Sequence, residues 1–365
     1  MWSYIKITVL LCFVSIVFAE ETQYEGNACI VKQTGEAGEC RNFANCTSAV
    51  QLAGDGVYPQ MCSCQDETVC CGPASCPPLK PGIVNIQETG YKAWDYCISL
   101  ADRVFPCKET ENGWTRQDNC PPIPDKNQTD AVLVPGEYPH MARLGYGDIN
   151  DHAGWYCIGS LITDEWILTD SSCMKLASQP TFAVVGGWPE GGPILSDANA
   201  YPIQRTLLHP DSDNPSSYST IGLVQLTKRV VLSKFVLPAC LHTGTSMSDE
   251  GLIMIDWNWT GLVWTGFQKY PVDRVSHEEC SKKIPDGLKE SAHICAKVTS
   301  NGGASWVNRG SALQQYGSDR VACTYLLSGV YAFSSMDSKT HVFTRVAPHV
   351  AWIESVVWPN VRTKL

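Results

Sequence analysis

The sequence has few charged residues and no excess of basic ones, and these absences exclude several classes of protein. Only 18% of its 365 residues are charged, with 27 basic and 37 acidic side chains, so the formal net charge is −10. Because 44% of the residues are hydrophobic, disorder over the whole length is excluded. Nucleic acids and anionic membranes bind basic surfaces, so the acidic balance argues against both as partners. The length predicts about two domains.

Long apolar runs are also missing. The run from Ile7 to Phe18 has about 12 residues, and a spanning helix needs roughly 20. It follows the positive charge of Lys6 and ends at the small-residue site Val17-Phe18-Ala19, which is the pattern of a secretory signal peptide. We therefore expect residues 1–19 to be removed and the mature chain to be secreted and extracellular, without membrane insertion. The eight histidines lack a metal-ligand spacing such as His-x3-His, so we expect no metal and no cofactor.

Cysteine is the residue that the chain has in abundance. Its 18 cysteines are too many for idle thiols in a reducing compartment and indicate a disulfide framework. Loss of Cys12 with the signal peptide leaves 17, so one cysteine is free or pairs with another molecule. Sequons at Asn127 and Asn258 predict glycosylation. A third sequon lies at Asn45, and its middle residue is a cysteine expected to be in a disulfide.

The cysteine distribution and the apolar pattern divide the chain into domains. Eight cysteines lie between Cys29 and Cys76, a density typical of a small domain that needs disulfides for stability. Proline-rich stretches at 77–82 and 121–124 indicate a linker. We predict a domain at 20–76, a linker with a tether cysteine at 77–129 and a larger domain at 130–361. Short alternating runs predict that the larger domain is all-β, and helical spacing from Val350 to Val357 predicts a closing helix.

The N-terminal cysteine pattern resembles the clip domain of arthropod extracellular proteases. The pattern reads Cys29-x10-Cys40-x5-Cys46, then Cys62-x-Cys64, then Val69-Cys70-Cys71. The resemblance implies the bonds Cys29–Cys70, Cys40 with either Cys62 or Cys64, and Cys46–Cys71. The chain departs from the clip pattern because it carries both Cys62 and Cys64, and also Cys76.

The larger domain resembles the trypsin-like domain of the same proteases, with the snake- and easter-type pattern. The matching motifs are Gly136-Glu137-Tyr138-Pro139, Cys157-Ile158-Gly159-Ser160-Leu161-Ile162, Leu208-His209-Pro210-Asp211, Ile221-Gly222-Leu223-Val224 and Val342-Phe343-Thr344-Arg345-Val346. The resemblance implies an all-β fold, a trypsin-like double Greek-key β-barrel with a C-terminal helix. It also implies the bonds Cys97–Cys240, Cys157–Cys173 and Cys280–Cys295. Cys107–Cys120 is a plausible local pair, which leaves Cys323 as the odd thiol.

All three catalytic positions of the resembling family are substituted here. Acyl transfer by this fold needs a nucleophilic serine, a histidine that takes its proton and an aspartate that orients the histidine. Ser172 occupies the histidine position, Thr220 the aspartate position and Arg309 the serine position. A hydroxyl is no general base near neutral pH, and a guanidinium is no nucleophile. A shifted register would make Ser311 the nucleophile, but it would still lack its histidine and its aspartate.

The positions around the catalytic site are altered as well. Val307 replaces the oxyanion-hole glycine, Ser334 replaces a glycine of the pocket wall, and His341 replaces a pocket glycine, so its ring is expected to project into the specificity pocket. Asn308 replaces the aspartate that, in the family, pairs with the N-terminus created by activation cleavage. Cleavage after Lys126 would not create the usual N-terminus, so we expect that this activation step is lost.

The resemblance implies a catalytically inactive, secreted clip-domain serine protease homologue that circulates in haemolymph. We expect an adaptor or cofactor of an innate-immune cascade: melanisation through prophenoloxidase, Toll-type signalling or complement-like opsonisation. The partners implied are other clip-domain proteases or homologues, prophenoloxidase or complement-like proteins, and microbial surfaces. The alternative is a recognition protein for microbial surfaces or glycans, in which aromatic residues such as Trp306 and Phe333 line the old cleft.

Overall fold

The computed structural model describes residues 27–31, 37–46, 49, 61–63, 68–71, 91–110, 113–121, 136–148, 151–186, 200–213, 220–244, 249, 251–259, 264–284, 288–299, 307–317, 323–337 and 339–359. The chain forms two compact units. The first unit contains Met1–Leu79 and Cys107–Gln117, and the second contains Lys80–Pro106 and Asp118–Leu365. The expected signal peptide lies outside the described residues.

The first unit contains a small antiparallel sheet that is cross-linked by disulfides. Its strands are β1 (Ala28–Ile30), β2 (Ala37–Asn42), β3 (Met61–Ser63) and β4 (Thr68–Cys71), in the order β1-β2-β4-β3, with a 3-10 helix (Phe43–Asn45) after β2. Three bonds join Cys29 to Cys70, Cys40 to Cys62 and Cys46 to Cys71. Strands this short bury little apolar surface, so the bonds carry much of the stability. Cys64 and Cys76 lie outside the described residues.

The stretch interpreted as a linker contains regular structure. It forms helices α1 (Lys92–Ser99) and α2 (Ala101–Val104), followed by a hairpin of β5 (Cys107–Thr110) and β6 (Gly113–Arg116). Helix α1 is fastened within the second unit because Cys97 is bonded to Cys240. The backbone N–H of Ala93 also donates a hydrogen bond to the Glu354 carboxylate at 3.0 Å.

The expected pair Cys107–Cys120 is wrong. Cys120 is bonded to Cys323, with their Cα atoms 5.1 Å apart. The hairpin register sets Cys107 opposite Arg116, and the chain then continues into the second unit. There the N–H of Asn119 donates to the carbonyl of Val104 at 2.9 Å. A short sequence separation suggested a local bond, but Cys107 belongs to the first unit and Cys120 to the second. Cys323 is therefore not the odd thiol.

The second unit contains two barrels. The first is closed in the order β10-β11-β12-β9-β8-β7. Its strands are β7 (Met141–Asp148), β8 (Asp151–Leu161), β9 (Trp166–Asp170), β10 (Phe182–Val185), β11 (Ala200–Leu208) and β12 (Ile221–Leu226). Two 3-10 helices follow β9 and β11, namely Ser171–Met174 and Pro210–Asp213. Cys157 of β8 is bonded to Cys173 of the first of these helices.

The second barrel is formed by the C-terminal strands. They are β13 (Cys240–Leu241), β14 (Leu252–Trp259), β15 (Trp264–Val275), β16 (His293–Val298), β17 (Ala312–Tyr316), β18 (Tyr325–Ser334) and β19 (His341–Arg345). The order is β13-β18-β17-β14-β15-β16-β19, and pairing of β18 with β19 closes the barrel.

The helices of the second barrel follow β15 and β19. Helix α3 (His277–Lys283) leads from β15 to β16, and its Cys280 is bonded to Cys295. A 3-10 helix (Ala347–His349) and helix α4 (Val350–Val357) follow the last strand. The all-β double barrel with a C-terminal helix is confirmed.

The largest apolar cluster lies between the barrels. It includes Met141 and Ile158 of the first barrel, Ile255 and Leu327 of the second, and Ile353 of α4, all of them buried. Burial of each such side chain contributes about 1.5–3 kcal/mol. This core fixes the position of each barrel relative to the other, and therefore the loops that meet at their junction. No helix among the described residues is long and apolar enough to cross a membrane.

Candidate functional site

Ser172, which the sequence motif predicts at the family's histidine position, has a hydroxyl that is already bonded to an acid. Strand β9 is buried along its whole length and ends at Asp170, whose carboxylate caps the following 3-10 helix. The Asp170 Oδ1 atom accepts the backbone N–H of Ser172 at 2.8 Å and also the Ser172 hydroxyl. The Cys157–Cys173 bond holds the helix against β8. Ser172 therefore completes a local cap and offers no base.

The aspartate position carries a second hydroxyl. The Thr220 carbonyl accepts the N–H of Ser171 at 3.0 Å, which places Thr220 beside the same 3-10 helix. Its Oγ1 lies 2.8 Å from the Oγ1 of Thr344 in β19. A hydroxyl pair thus joins the two barrels where the family motif requires a carboxylate. Neither hydroxyl could stabilise an imidazolium by charge.

The backbone at Arg309, the residue predicted at the nucleophile position, lies against β8 because the next residue is a glycine. The N–H of Ile158 donates to the Arg309 carbonyl at 2.9 Å, which aligns this residue with β8. Gly310 follows with φ +84°, and a Cβ there would lie 1.8 Å from the Ile158 carbonyl oxygen. Only glycine fits this backbone. The side chain of Arg309 is exposed and has no nucleophilic atom.

Ser311 is not available as a nucleophile in the alternative register. It is fully buried, and its hydroxyl donates to the Ile255 carbonyl at 2.5 Å. The carbonyl of the same residue accepts the N–H of Tyr331 at 2.8 Å. A substrate carbonyl cannot reach a hydroxyl that is enclosed in this way. The geometry therefore argues against a serine protease that uses Ser311.

The three substituted positions meet around Asp170, which the sequence reasoning did not single out. This carboxylate is only 2% exposed, and burial raises its pKa. Hydrogen bonding by the Ser172 and Thr220 hydroxyls and the positive charge of Arg309 act in the opposite direction. The structure thus brings Ser172, Thr220 and Arg309 together, but around an acid that the triad chemistry does not use. The signal in the sequence was an acidic residue at the end of an apolar strand.

Asn308 is held by a second buried acid, Asp256 of β14. Its backbone N–H donates to both Asp256 oxygens at 3.1 and 3.2 Å, and its Nδ2 donates to Oδ1 at 2.9 Å. Nδ2 also donates to the Trp257 carbonyl at 2.6 Å. Burial raises the pKa of Asp256 to about 6, while the bonds from Asn308 oppose that rise. The segment around the nucleophile position is therefore anchored from inside the barrel.

The residues predicted at the specificity-pocket positions lie in a chain of hydrogen bonds. His341 of β19 is opposite Ser334 of β18. Its Nδ1 lies 2.8 Å from the Ser334 hydroxyl, which in turn lies 2.8 Å from the Tyr331 hydroxyl. His341 is 1% exposed, and burial lowers its pKa. An imidazole and a hydroxyl thus fill space where the family has two glycines.

The two aromatic residues expected to line a recognition cleft do not form one in the described structure. Phe333 is half-buried and packs against the internal cluster that contains Val275 and Val342. Trp306 lies outside the described residues. The placement of Phe333 therefore gives no support to an aromatic glycan pocket at this position.

A buried arginine between the barrels also escaped the sequence reasoning. Arg143 of β7 lies between two indoles, 3.9 Å from the Trp155 ring centroid and 3.7 Å from that of Trp257. Its side chain is almost fully buried, and burial lowers its pKa to about 9. Cation–π contact stabilises such a desolvated guanidinium. The signal was a lone arginine inside the apolar stretch 141–146.

The remaining predicted sites are placed as follows. Asn45 is exposed at the end of a 3-10 helix, but Cys46 beside it is buried and bonded to Cys71. Asn258 lies in β14, and Asn127 lies outside the described residues.

Two groups of described residues have potential metal-ligand atoms close together. They consist mainly of cysteine sulfurs that are already in disulfides, and such sulfurs do not ligate as thiolates.

Comparison with known families and proteins agrees with this fold. The sequence profile of the family described as Trypsin matches residues 127–353. Serine protease snk of Drosophila melanogaster is 23% identical over 93% of this chain and 80% of its own length. Serine protease Hayan of the same species is 28% identical over 62% of this chain, but this covers only 38% of Hayan. Phenoloxidase-activating factor 1 of Holotrichia diomphalia is 24% identical over 64% of this chain and 71% of its own.

A solved structure shows the same fold. The structure titled HL collagenase superposes with a TM-score of 0.50 and is 21% identical, over 63% of this chain and 97% of the collagenase chain. At this identity the likeness concerns the fold alone. It agrees with the double barrel.

Proposed function

The chain belongs to the trypsin family, and from the side chains at its catalytic positions we propose that it is a secreted, catalytically inactive clip-domain serine protease homologue. It acts as an adaptor or cofactor in an extracellular innate-immune cascade. The observation that carries this proposal is the arrangement of Ser172, Thr220 and Arg309 at the three catalytic positions. Loss of one triad member typically lowers the rate by about 10⁴-fold or more. Loss of all three leaves no base and no nucleophile.

The blocked pocket supports inactivity independently of the triad. A protease of this fold holds the side chain before the cleaved bond in a specificity pocket. Here His341 and Ser334 are hydrogen-bonded to each other across the corresponding positions. Displacing a buried, bonded imidazole would leave polar groups unpaired, at a cost of about 1–3 kcal/mol for each group. Substrate binding is therefore disfavoured as well as catalysis.

The hydrogen bonds between Asn308 and Asp256 support the proposal that this protein does not need activation cleavage. In the family, the residue at this position pairs with the ammonium group of a newly cut N-terminus. Here the Asn308 side chain and backbone donate to Asp256 of the same barrel. The segment at 307–311 thus has an internal partner that exists in the uncut chain. We propose that the protein presents its binding surface without prior cleavage.

The relatives suggest the pathway. Their names include Phenoloxidase-activating factor 1 and Melanization protease 1. We propose that this chain works in haemolymph beside other clip-domain proteases or homologues, in melanisation through prophenoloxidase, Toll-type signalling or a complement-like response. A protease-shaped scaffold suits this role because loops on a rigid barrel make a stable binding surface.

Catalysis is tested first with the purified full-length protein. We expect no hydrolysis of chromogenic peptides with basic, aromatic or small residues before the cleaved bond, and no labelling by a serine-directed phosphonate. An active trypsin-like protease at the same concentration serves as the control. Turnover that the phosphonate abolishes would refute inactivity. Turnover that persists in a Ser311→Ala variant would indicate a contaminating protease.

The adaptor role is tested by depletion and rescue. Removing the protein from haemolymph should alter melanisation and cascade cleavage after microbial challenge, and adding back the wild type should restore both. The Arg309→Ala variant should restore them equally if the role does not require catalysis. Co-precipitation should then recover a cascade protease or prophenoloxidase. If the protein binds β-glucan or peptidoglycan but co-precipitates neither a cascade protease nor prophenoloxidase, the result would favour the recognition function over the adaptor function.

A further inference from the structure

The disulfide between Cys120 and Cys323 is more exposed than the other bonds of the described structure. Of the seven bonds between described cysteines, it is the one in which both residues are partly exposed. Five of the others join two buried cysteines, and the sixth, Cys40–Cys62, has a fully buried Cys40. Exchange requires that an external thiolate reach a disulfide sulfur. Among these bonds, Cys120–Cys323 is therefore the most accessible to attack.

The backbone of Cys323 also favours opening of this bond. Its φ is +65°, and it is the one residue other than glycine with a positive φ in the part of the chain that the structure describes. A residue with a side chain is disfavoured in this left-handed region. The next residue is held in place, because the carbonyl of Thr324 accepts the N–H of Gly317 at 2.8 Å. When the bond to Cys120 opens, Cys323 loses one of the constraints that keep it in this conformation.

A carboxylate lies beside the two sulfur atoms. An oxygen of Asp118 and the sulfurs of Cys120 and Cys323 all lie within 4.8 Å of one another, and Asp118 is exposed. The Asp118 Oδ1 atom accepts the backbone N–H of Cys120 at 2.9 Å, which holds the carboxylate at this place. A negative charge at this distance repels an anionic thiol and disfavours the thiolate that leaves. The site therefore favours thiols that carry a positive charge over thiols that carry a negative one.

We propose that Cys120–Cys323 is a reversible thiol-exchange site that low-molecular-weight thiols open before the other six bonds between described cysteines, and that Asp118 favours cationic over anionic thiols. The thiolate of the reductant attacks one sulfur, forms a mixed disulfide and displaces the other sulfur as a thiolate. A second reductant thiol then attacks the mixed disulfide. The products are two protein thiols and one disulfide of the reductant, so two electrons and two protons are transferred. The inference does not depend on the proposed function, because the catalytic positions take no part in it.

Opening this bond removes a tether and leaves the barrels intact. Strand β18 begins two residues after Cys323 and pairs with β17 at once, with Tyr325 opposite Tyr316. Helix α1 keeps its own bond, which joins Cys97 to Cys240. The link that is lost joins the segment at 118–120 to the start of β18. Exchange at this site therefore releases that segment locally, within a second unit that stays folded.

The order of opening is measured on the secreted, full-length wild type. The protein is treated with increasing concentrations of cysteamine, its free thiols are blocked with a light maleimide, and the remaining cysteines are reduced and labelled with a heavy one. Peptide mass spectrometry should find Cys120 and Cys323 opened about tenfold faster than the buried pair Cys157 and Cys173. They should also open before the cysteines of the other five bonds. A buried pair that opens at the same rate or faster would overturn the inference.

The role of Asp118 is tested with Asp118→Asn, which removes the charge and keeps an oxygen that can accept the N–H of Cys120. At low ionic strength, reduction by glutathione, an anionic thiol, should become about threefold to fivefold faster. Reduction by cysteamine should change little. The control is Asp273→Asn, an exposed position in β15, which β14 separates from β17. It should leave both rates unchanged. An equal change for both thiols in Asp118→Asn, or no change for either, would overturn the selection by charge.

The local character of the opening is tested with the double variant Cys120→Ser and Cys323→Ser, which cannot form the bond. It should be secreted, and hydrogen exchange should find β17 and β18 as protected as in the wild type. Loss of protection in these strands would contradict a local release. If the double variant fails to fold, the release is not local and that part of the inference is wrong. The order of opening is measured on the wild type and is decided separately.

Discussion

At the scale of single residues, the altered site is explained by what each side chain contacts. Ser172 caps a helix with Asp170, and Thr220 pairs with Thr344. These bonds show that both substituting hydroxyls have partners inside the protein.

Replacing Gly310 by alanine should be strongly destabilising. The residue has φ +84°, and the new Cβ atom would lie 1.8 Å from a carbonyl oxygen, so both strain and overlap are introduced. We expect Gly310→Ala to lower the free energy of unfolding by about 3 kcal/mol or more. The matched control is Gly147→Ala, where φ is +92° but nothing lies within 4 Å, so only about 1–2 kcal/mol is lost. Equal losses in urea unfolding would contradict the close approach to β8.

Replacing Asn308 by aspartate should make stability fall with rising pH. The new carboxylate would lie at hydrogen-bond distance from Asp256, now 2.9 Å from Nδ2, and two such acids share one proton. The folded variant then binds more protons than the unfolded chain, so stability is present at low pH and is lost as pH rises through 6. We expect a loss of about 2–4 kcal/mol between pH 5 and pH 8 in urea unfolding.

The control for this variant is Asn308→Ala. It removes the side-chain donor without adding charge, so the pKa of Asp256 rises further, and its pH dependence should lie between those of the wild type and of Asn308→Asp. A similar fall with pH in both variants would show that charge repulsion at Asp256 is not the cause.

At the scale of elements, helix α4 is attached through a cluster of histidines at the edge of both barrels. His349 precedes the helix and lies edge-on to His209 at 4.7 Å between ring centroids, and Trp352 lies 4.9 Å from the same ring. His209 follows β11 of the first barrel, and His293 of β16 also faces the cluster. Uncharged imidazole rings can pack this closely, whereas protonated rings would repel one another.

Acidification should therefore loosen α4. Burial first, and then the neighbouring His209 and His293, lower the pKa of His349 to about 4, although Asp211 opposes this. The unfolded chain takes up a proton below its ordinary pKa of 6.5, so stability is lost as pH falls from 6.5 toward 4. We expect a loss of about 3 kcal/mol from this group at pH 4.

The measurement is hydrogen exchange of α4 at pH 7 and pH 4.5, corrected for intrinsic rates. His349→Phe keeps an aromatic ring and should reduce the acid-dependent loss of protection. Trp352→Phe retains the histidines and should keep that loss. If His349→Phe lost protection on acidification as much as the wild type, the cluster would not be the cause.

At the scale of the whole molecule, the two barrels are joined by polar contacts as well as by the core. Lys269 of β15 donates to Glu137, which precedes β7, at 2.8 Å, and both side chains are almost fully buried. The Tyr325 hydroxyl donates to the Glu137 carbonyl at 2.5 Å. The N-terminal edge of the first barrel is thus held by the second.

Removing only one charge of the Lys269–Glu137 pair should lower the free energy of unfolding more than removing both charges. Lys269→Met leaves a buried carboxylate without its counter-ion, so we expect a loss of about 3–5 kcal/mol. The double variant Lys269→Met with Glu137→Gln should recover part of that loss, because no buried charge remains. Calorimetric unfolding of the wild type, both single variants and the double variant measures the coupling. Additive losses would show that the pair is not coupled.

Much of the fold could be predicted from the sequence because its signals are local or motif-based. The alternating runs that predicted strands such as His140–Tyr146 and Ile221–Leu226 lie in β7 and β12. The helical spacing after Pro348 predicted α4. Helix α1 and the β5–β6 hairpin were missed because proline-rich flanks suggested a linker, whereas the bond between Cys97 and Cys240 provides the tertiary support for α1.

The sequence by itself predicted which side chains stand at the catalytic positions, because motif and spacing set that register along the chain. It also determined that the cysteines form a framework. The contact of Ser172 with Asp170 is also local, because the two residues are two positions apart and form a helix cap. Only the tertiary structure decided that Asn308 contacts Asp256 and that Cys120 is bonded to Cys323. No local pattern encodes these two pairs, because the folding of the chain brings together residues that are 52 and 203 positions apart.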